Sequence, residues 1–505
     1  MASAFSSVLG LVTNKPKPNN LTMAPNVTIR NISNNPLTLV QAEYFEPHRE
    51  DKGKGGFQIS NVTQALGNVT NSLGITNSTT RKDVPEIDAN ARPFESRNLD
   101  IKLPPFSIVN TDIRATINKP DERLRLTFQT ELGGKHQLYC PVPTLQTASL
   151  VALADNPKYR FTGIYLTQHS YVTLFNTSNL EQWMRNIPDF TPLGALSIPG
   201  SHNSPTHHQA PPSVRCQAVS PKEQLKNGFR FFDVRVQVPE PFNANSDHLN
   251  LVHSAFPISL TGNKHFRDLY NEIVQFLKDN PSETLVLSLK REGTGKGTDE
   301  QFSRILKNHY LRDGDRWFTE PRVPTLGEAR GKIVLLRRFG LEEELRKEWN
   351  GRGLGIDAQN WADNTPNATC PSGDVVVQDF YEVSERPTID KKITYARDHL
   401  ERSGCCPFFP NDRQKSDGKK IPLYVNFLSA SNFWKVNTWP EKIAAEVNPA
   451  ITEHLCRSHQ VGDGGRVKDG NWSTGIVVTD WVGLGGDWDL SRAVVGMNAK
   501  LVNHD

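Results

Sequence analysis

Two histidines and an Asp–Arg pair are the residues of this chain best placed to do chemistry. His202 follows the run Leu196-Ser197-Ile198-Pro199-Gly200-Ser201, and His253 ends Leu249-Asn250-Leu251-Val252. Between them, Phe231-Phe232-Asp233-Val234-Arg235 sets a carboxylate and a guanidinium two residues apart, hence on one face of an extended strand. Later apolar runs end in the same way. Lys290 closes 284–290, Arg337-Arg338 close 332–338, Asp379 and Tyr381 follow Val375-Val376-Val377-Gln378, and Asp480 follows Ile476-Val477-Val478-Thr479. Several cations facing carboxylates suit an anionic substrate. Phosphate is the natural one, because guanidinium grips it through paired hydrogen bonds. In phosphoryl transfer one imidazole can accept the proton of an attacking hydroxyl while the other gives a proton to the leaving oxygen, and an ordinary pKa of about 6.5 suits both tasks. A carboxylate on the far ring nitrogen fixes the tautomer of the base, and Asp480 is the candidate. Arg235 can offset charge developing on the phosphate oxygens.

Apolar runs that stop at ionisable residues read as buried strands that deliver side chains at their tips, as in a barrel whose site collects at one rim. The candidate strands are 193–199, 230–236, 249–253, 284–290, 332–338, 375–380, 421–428 and 475–481. They alternate with candidate helices at 264–279, 298–310, 341–349, 387–402, 439–457 and 489–502. This alternation argues for an α/β fold with a mostly parallel sheet, an irregular TIM-like (β/α)8 barrel over 180–505. It is irregular because the link from the second strand to the third is about a dozen residues, near the minimum for a parallel crossover. Upstream, runs such as Val27-Thr28-Ile29-Arg30-Asn31 and Tyr171-Val172-Thr173-Leu174-Phe175 indicate an all-β, sandwich-like accessory domain over 25–179. Within it 53–92 reads as a long surface loop, and 1–24 ahead of it as a disordered segment.

The composition sets bounds. The chain has 505 residues, 36% hydrophobic and 22% charged, as a globular protein with real cores would be. A formal net charge of +3 gives no argument for nucleic acid. No apolar run approaches the roughly 18 residues of a membrane span. No secretory signal is read at the N-terminus and no lipid-anchor motif at the C-terminus. The compartment stays open, leaning cytoplasmic with peripheral membrane contact. The six cysteines form neither a disulfide framework nor a metal-ligand spacing. His207-His208 reads as solvated loop, and the glycine-rich 293–298 as an ordinary turn, since its spacing is wrong for a P-loop. Cys405-Cys406-Pro407-Phe408-Phe409-Pro410 reads as a buried apolar loop, with a membrane-dipping rim as the alternative.

Taken in order, Ile198-Pro199-Gly200-Ser201-His202-Asn203-Ser204, Gly228-Phe229-Arg230-Phe231-Phe232-Asp233-Val234-Arg235, Val252-His253 and Asn280-Pro281-Ser282-Glu283-Thr284 leading into Lys290 resemble the X-domain of phosphatidylinositol-specific phospholipase C. The later pieces around Arg338, Asp379, Tyr381 and Asp480 resemble its bacterial-type branch, and the likeness covers about 190–500. The resemblance implies cleavage of phosphatidylinositol-type lipids to diacylglycerol and inositol 1,2-cyclic phosphate at a membrane surface. By position, His202 matches the general base and His253 the general acid. Arg235 matches the arginine that stands in for calcium, with Asp233 beside it, and Asp480 matches the partner that orients the base. Lys290, Arg338, Asp379 and Tyr381 match inositol-pocket positions, with Trp361 as a candidate for the pocket wall. No cofactor is implied. Calcium wants several carboxylate oxygens, and Arg235 and Lys290 stand where the calcium-dependent branch has acidic residues, so metal-independent chemistry is expected. Asn203 departs from the aspartate usual in bacterial enzymes of this type. Two rival readings stand beside this one. A glycerophosphodiester phosphodiesterase would want a His-Arg pair and a Glu-x-Asp metal motif, which do not follow the first two strands. A lipid-binding protein with a weak site is favoured by Asn203 and opposed by both histidines, Arg235 and Asp480. The β-region reads as a structural accessory domain, with a lipid- or partner-binding domain as the alternative, its partner unknown.

Overall fold

A computed structural model describes residues 25–46, 87, 90–116, 122–141, 149–177, 179–243, 245–312, 314–410, 420–462 and 465–502. The expected disordered segment 1–24, and nearly all of the expected loop 53–92, lie outside them.

The catalytic candidates sit on one curled sheet. Strand one (Ile198–Ser201) pairs in parallel with strand two (Phe231–Gln237) on one side and with strand eight (Ile476–Thr479) on the other. Strand two continues in parallel to strand four (Leu285–Arg291) and then to strand five (Ile333–Arg338). Strand eight continues in parallel to strand seven (Leu423–Phe427) and strand six (Val375–Gln378). The order five-four-two-one-eight-seven-six puts every C-terminal tip on one edge. These strands are near-continuous apolar runs, as in Leu285–Leu289, where all five residues are buried. That is the mark of strands covered on both faces. The result is a mixed α/β fold. Among the described strands no pairing joins six to five: five runs on to Trp317–Phe318 and Ile356–Asp357, and six to the antiparallel Ala368–Thr369.

Strand three (Asn250–His253) corrects the sequence expectation of a parallel partner. It is antiparallel to strand two, with Val236 opposite Leu251 and Gln237 opposite Asn250. The short link is a hairpin connection rather than a crossover, and it brings His253 back towards the same rim. The six helices form where periodicity placed them, except that the one expected over 341–349 loses helical backbone at Glu348, Trp349 and Asn350, and the last, Asp489–Gly496, gives way to a 3-10 turn over Met497–Leu501. His207 and His208 are half-buried rather than solvated. In the 405–410 loop, Cys406 and Phe408 are buried and Cys405 is exposed.

Upstream, two β-sheets share a core that includes Ile29, Leu39, Leu126, Phe128 and Val172. Arg30 leaves this core. Its guanidinium, 1% exposed, donates to the carbonyls of Leu455, Cys456 and His459 at the end of the helix Pro440–Arg457. Ile32, Ile164 and Phe175 pack with Ile451, Leu455 and Val494, so the β-sheets and the α/β part share a second core.

Candidate active site

His202 lies just past the tip of strand one, and its ring is fixed at both nitrogens. Nδ1 stands 2.9 Å from Asp480 Oδ1, just past the tip of strand eight. Nε2 faces Arg235 Nη2 at 3.1 Å and Asn203 Nδ2 at 3.2 Å, both of them donors. Nδ1 therefore carries the hydrogen and Nε2 presents a lone pair, the tautomer a general base needs. Gln217 supports the turn by donating to the carbonyls of His202 (2.7 Å) and Thr479 (2.9 Å). Burial raises the Asp480 carboxyl above its ordinary pKa, while His202, Arg235 and Lys392 oppose the shift.

His253 faces His202 with ring centroids 5.7 Å apart and planes at 89°. Its Nδ1 donates to the Val214 carbonyl at 2.8 Å, which leaves Nε2 as the reactive nitrogen. Burial lowers its pKa to about 4, aided by the charges of Arg235 and His202.

Arg235 is held in a carboxylate clamp. Asp233, fully buried, accepts from Arg235 Nη2 at 3.2 Å and, through its other oxygen, from Arg338 Nη1 at 3.2 Å. Burial pushes the Asp233 carboxyl up, but Arg235, Arg338 and His202 outweigh it and hold it well below the usual range. Glu292 completes the clamp, accepting from Arg235 Nη1 at 3.0 Å and from Lys290 Nζ at 2.8 Å. Its pKa falls to about 2, because Arg235 and Lys290 overcome burial. Sequence reasoning missed Glu292. The available signal was its spacing of two from Lys290, which puts both on one face.

The far wall is built on strand five and the segments after it. Arg338 stacks with its guanidinium 3.7 Å from the Trp361 ring centre, and Trp361 meets Phe427 edge-on. Arg337 turns the other way, to the carbonyls of Leu354 and Phe339. Asp379 is half-buried. Burial raises its pKa, and Arg338 and Lys392 oppose the rise. Tyr381 donates to Asp363 at 2.9 Å, and burial with that neighbour pushes its pKa up to about 12. Asn203 adopts φ 42°. Its backbone N–H donates to Asp233 Oδ2 at 3.3 Å, and its buried Oδ1 has no hydrogen-bond partner among the described residues. Lys392, fully buried behind strand six, was also missed.

Among the described residues, two groups have metal-ligating atoms close together: His202, Cys216 and His253, and Glu401, His454 and His459. In the first, the Arg235 guanidinium beside His202 opposes a dication, and burial holds the Cys216 thiol well above its ordinary pKa. In the second, Glu401 Oε1 already faces both imidazoles, at 3.1 and 3.2 Å, and the Gln460 N–H at 3.2 Å. That group fits a hydrogen-bonded tie between two helices.

A family model described as phosphatidylinositol-specific phospholipase C, X domain, matches residues 191–339. That stretch carries His202, Asp233, Arg235, His253, Lys290, Glu292 and Arg338. The 1-phosphatidylinositol phosphodiesterase of Listeria monocytogenes is 32% identical over 292 residues, which span 55% of this chain and 77% of that protein. The enzyme of the same name from Staphylococcus aureus strain Newman is 26% identical over 342 residues, 64% of this chain and 94% of that one. Among solved structures, a double mutant of the S. aureus phosphatidylinositol-specific phospholipase C overlaps 63% of this chain and 97% of its own at 25% identity, with a TM-score of 0.48. With about three quarters of the Listeria protein matched at 32% identity, this chain belongs to the phosphatidylinositol-specific phospholipase C X-domain family.

Proposed function

We propose that this chain cleaves phosphatidylinositol-type lipids to diacylglycerol and inositol 1,2-cyclic phosphate. One observation carries the mechanism: His202, oriented by Asp480, and His253 face one another beside a clamped arginine. The relatives named 1-phosphatidylinositol phosphodiesterase support the substrate. The inositol 2-hydroxyl gives its proton to His202 Nε2 as its oxygen bonds to phosphorus. The bond from phosphorus to the glycerol oxygen breaks, and that oxygen takes a proton from His253 Nε2. Asp480 stabilises the imidazolium that forms on His202. Arg235, aligned by Asp233 and Glu292, offsets charge on the phosphate oxygens. In the free site His253 is neutral at pH 7. An anionic phosphodiester lodged between it and Arg235 opposes that shift and supplies the proton affinity an acid needs.

The curled sheet serves, in this reading, as an irregular barrel, with 180–505 as the catalytic unit and 25–179 as an accessory β-domain. Arg235 and Lys290 take the place of a metal. Arg235, Arg338 and Lys290 each already face Asp233 or Glu292, so none of the three is a spare cation for a second phosphate. Unphosphorylated phosphatidylinositol is therefore preferred over its bisphosphate. The membrane approaches through Phe256, Phe433 and Trp434, a group sequence reasoning did not pick out.

The test is turnover of phosphatidylinositol in mixed micelles with excess chelator, followed by phosphorus NMR, with His202→Ala alongside. Cyclic product that persists under chelation and vanishes in the variant supports the reading. Product only after calcium is added overturns the metal-independent mechanism. Lipid binding without turnover under either condition leaves a binding protein with a decayed site.

A further inference from the structure

Lys392 lies on the inward face of the helix Arg386–Gly404 with no exposed surface. An ammonium with three donors, taken out of water, is costly unless it is paired. The hydrogen bond it makes is to a neutral acceptor, Gln378 Oε1 at 3.2 Å. Gln378 immediately precedes Asp379, and its amide donates to Asn426 Oδ1 and to the Phe427 carbonyl, both at 2.8 Å. Asn426 is in register with Val477, three residues before Asp480. The ammonium therefore sits under the tips of strands six, seven and eight, behind the wall of the pocket.

Two carboxylates beyond direct contact act on it there through charge. Asp379 and Asp480 both stabilise its charge, and it in turn opposes the rise that burial imposes on each of them. Arg338 and Arg235 act on Asp379 from the pocket side, and His202 and Arg235 act on Asp480. His399, on the same helix, is kept neutral by burial, with Arg402 and Lys392 adding to the shift. Burial brings Lys392 itself down to about 7 despite both acids.

We propose that Lys392 is a positioning residue of the reaction above. Where it carries its charge, its buried ammonium favours the ionised forms of Asp379 and Asp480, and through Asp480 it favours the His202 tautomer that accepts the inositol proton. Lys392 does not touch substrate. The proposal rests on the catalytic reading of His202 and adds a residue that acts on the site through charge alone.

Replacing Lys392 removes a cation from two buried acids, so both protonate at higher pH. The acid limb of kcat/KM then moves up by about one unit, and activity at pH 6 falls roughly tenfold. KM changes less than kcat. The experiment compares the wild type with Lys392→Met and Lys392→Arg over pH 5–8, on full-length chain whose fold is checked by near-ultraviolet circular dichroism. In parallel, the imidazole nitrogens of His202 are titrated by 15N NMR, which requires no turnover. An acid limb moved up in Lys392→Met and restored in Lys392→Arg supports the proposal, as does an earlier loss of the Nδ1-protonated tautomer in Lys392→Met. A pH profile and imidazole titration unchanged in Lys392→Met overturn it. Should the wild type fail to turn over phosphatidylinositol, the catalytic reading fails, and the NMR titration still decides the role of Lys392.

Discussion

His202 and His253 each use Nδ1 to anchor the ring and leave Nε2 for substrate, but their anchors differ, a carboxylate for the one and a backbone carbonyl for the other. Asp480→Asn keeps the shape and loses the charge. The amide can donate to Nδ1 and so turn the lone pair of His202 away from the substrate. The expected loss is roughly 10²- to 10⁴-fold in kcat with KM little changed, measured on phosphatidylinositol micelles. His253 makes a prediction about stability. It binds its proton more weakly in the folded chain, at about 4, than in the unfolded chain, at its ordinary 6.5. The neutral form is therefore favoured by folding. Its contribution is fully present above the unfolded value and is lost as pH falls through the folded one, about 3 kcal/mol over that window. His253→Gln should flatten urea stability between those two pH values, and an unaltered slope would refute the assignment. At Asn203 the expectation concerns the acid limb. A carboxylate in place of its Nδ2 beside His202 Nε2 favours imidazolium, so Asn203→Asp should move the limb of kcat/KM to higher pH. Most of these groups were legible in the sequence because each ends an apolar run. Glu292 stands two residues past Lys290, beyond the expected end of its strand. Lys392 lies mid-helix, where lysine usually marks the solvent face, and only the packing turns that face inward.

The elements that aim these groups are tied down at their opposite ends. Arg230, just before strand two, is fully buried against Glu283, just before strand four, with Nε to Oε2 at 2.9 Å and neither side chain exposed. Arg230 also donates to the carbonyls of Leu225, Phe229, Leu180 and Glu181. One cation thus joins strand two to the segments before it and to the loop that starts strand four. Removing it leaves a buried carboxylate without its partner and several carbonyls without donors. Arg230→Met should cost roughly 3–5 kcal/mol in urea unfolding. Arg230→Met with Glu283→Gln should recover part of that loss, since the stranded charge goes with its partner. Strand spans were legible from apolar runs to within a few residues, except the first, expected over 193–199 and found at Ile198–Ser201 after a 3-10 turn at Leu193–Ala195. The direction of strand three was not, because a link of about a dozen residues serves a tight crossover or a loose hairpin equally well. What decides is the ladder of Val236 and Gln237 against Leu251 and Asn250, and a register between distant residues leaves no mark on local sequence.

At the scale of the whole molecule, an exposed aromatic cluster lies beside the candidate site. Phe256 pairs in register with His253 and stacks on Phe433, with ring centroids 5.7 Å apart and planes at 6°. Trp434 meets Phe433 edge-on and is 87% exposed, and Val436 beside it is 55% exposed. The Ser431 N–H bonds to the Tyr381 carbonyl at 3.2 Å, so the loop that carries these residues is fastened to the pocket. An aromatic cluster rooted within three residues of the candidate acid suits a surface that sinks a few ångströms into a bilayer and presents the site to headgroups. The arrangement separates two functions that a rate on lipid mixes together. Phe433→Ser with Trp434→Ser should weaken sedimentation with phosphatidylcholine vesicles containing phosphatidylinositol by roughly tenfold or more, since two large rings lose their burial in lipid. The same double variant should cleave a soluble short-chain phosphatidylinositol ester, below its micellar concentration, at close to the wild-type rate, because the ring contacts described for Phe433 and Trp434 run to Phe256 and to each other. Equal losses on vesicles and on the soluble ester would place these aromatics in the catalytic pocket instead. Unchanged vesicle binding would move the membrane contact to another face of the protein.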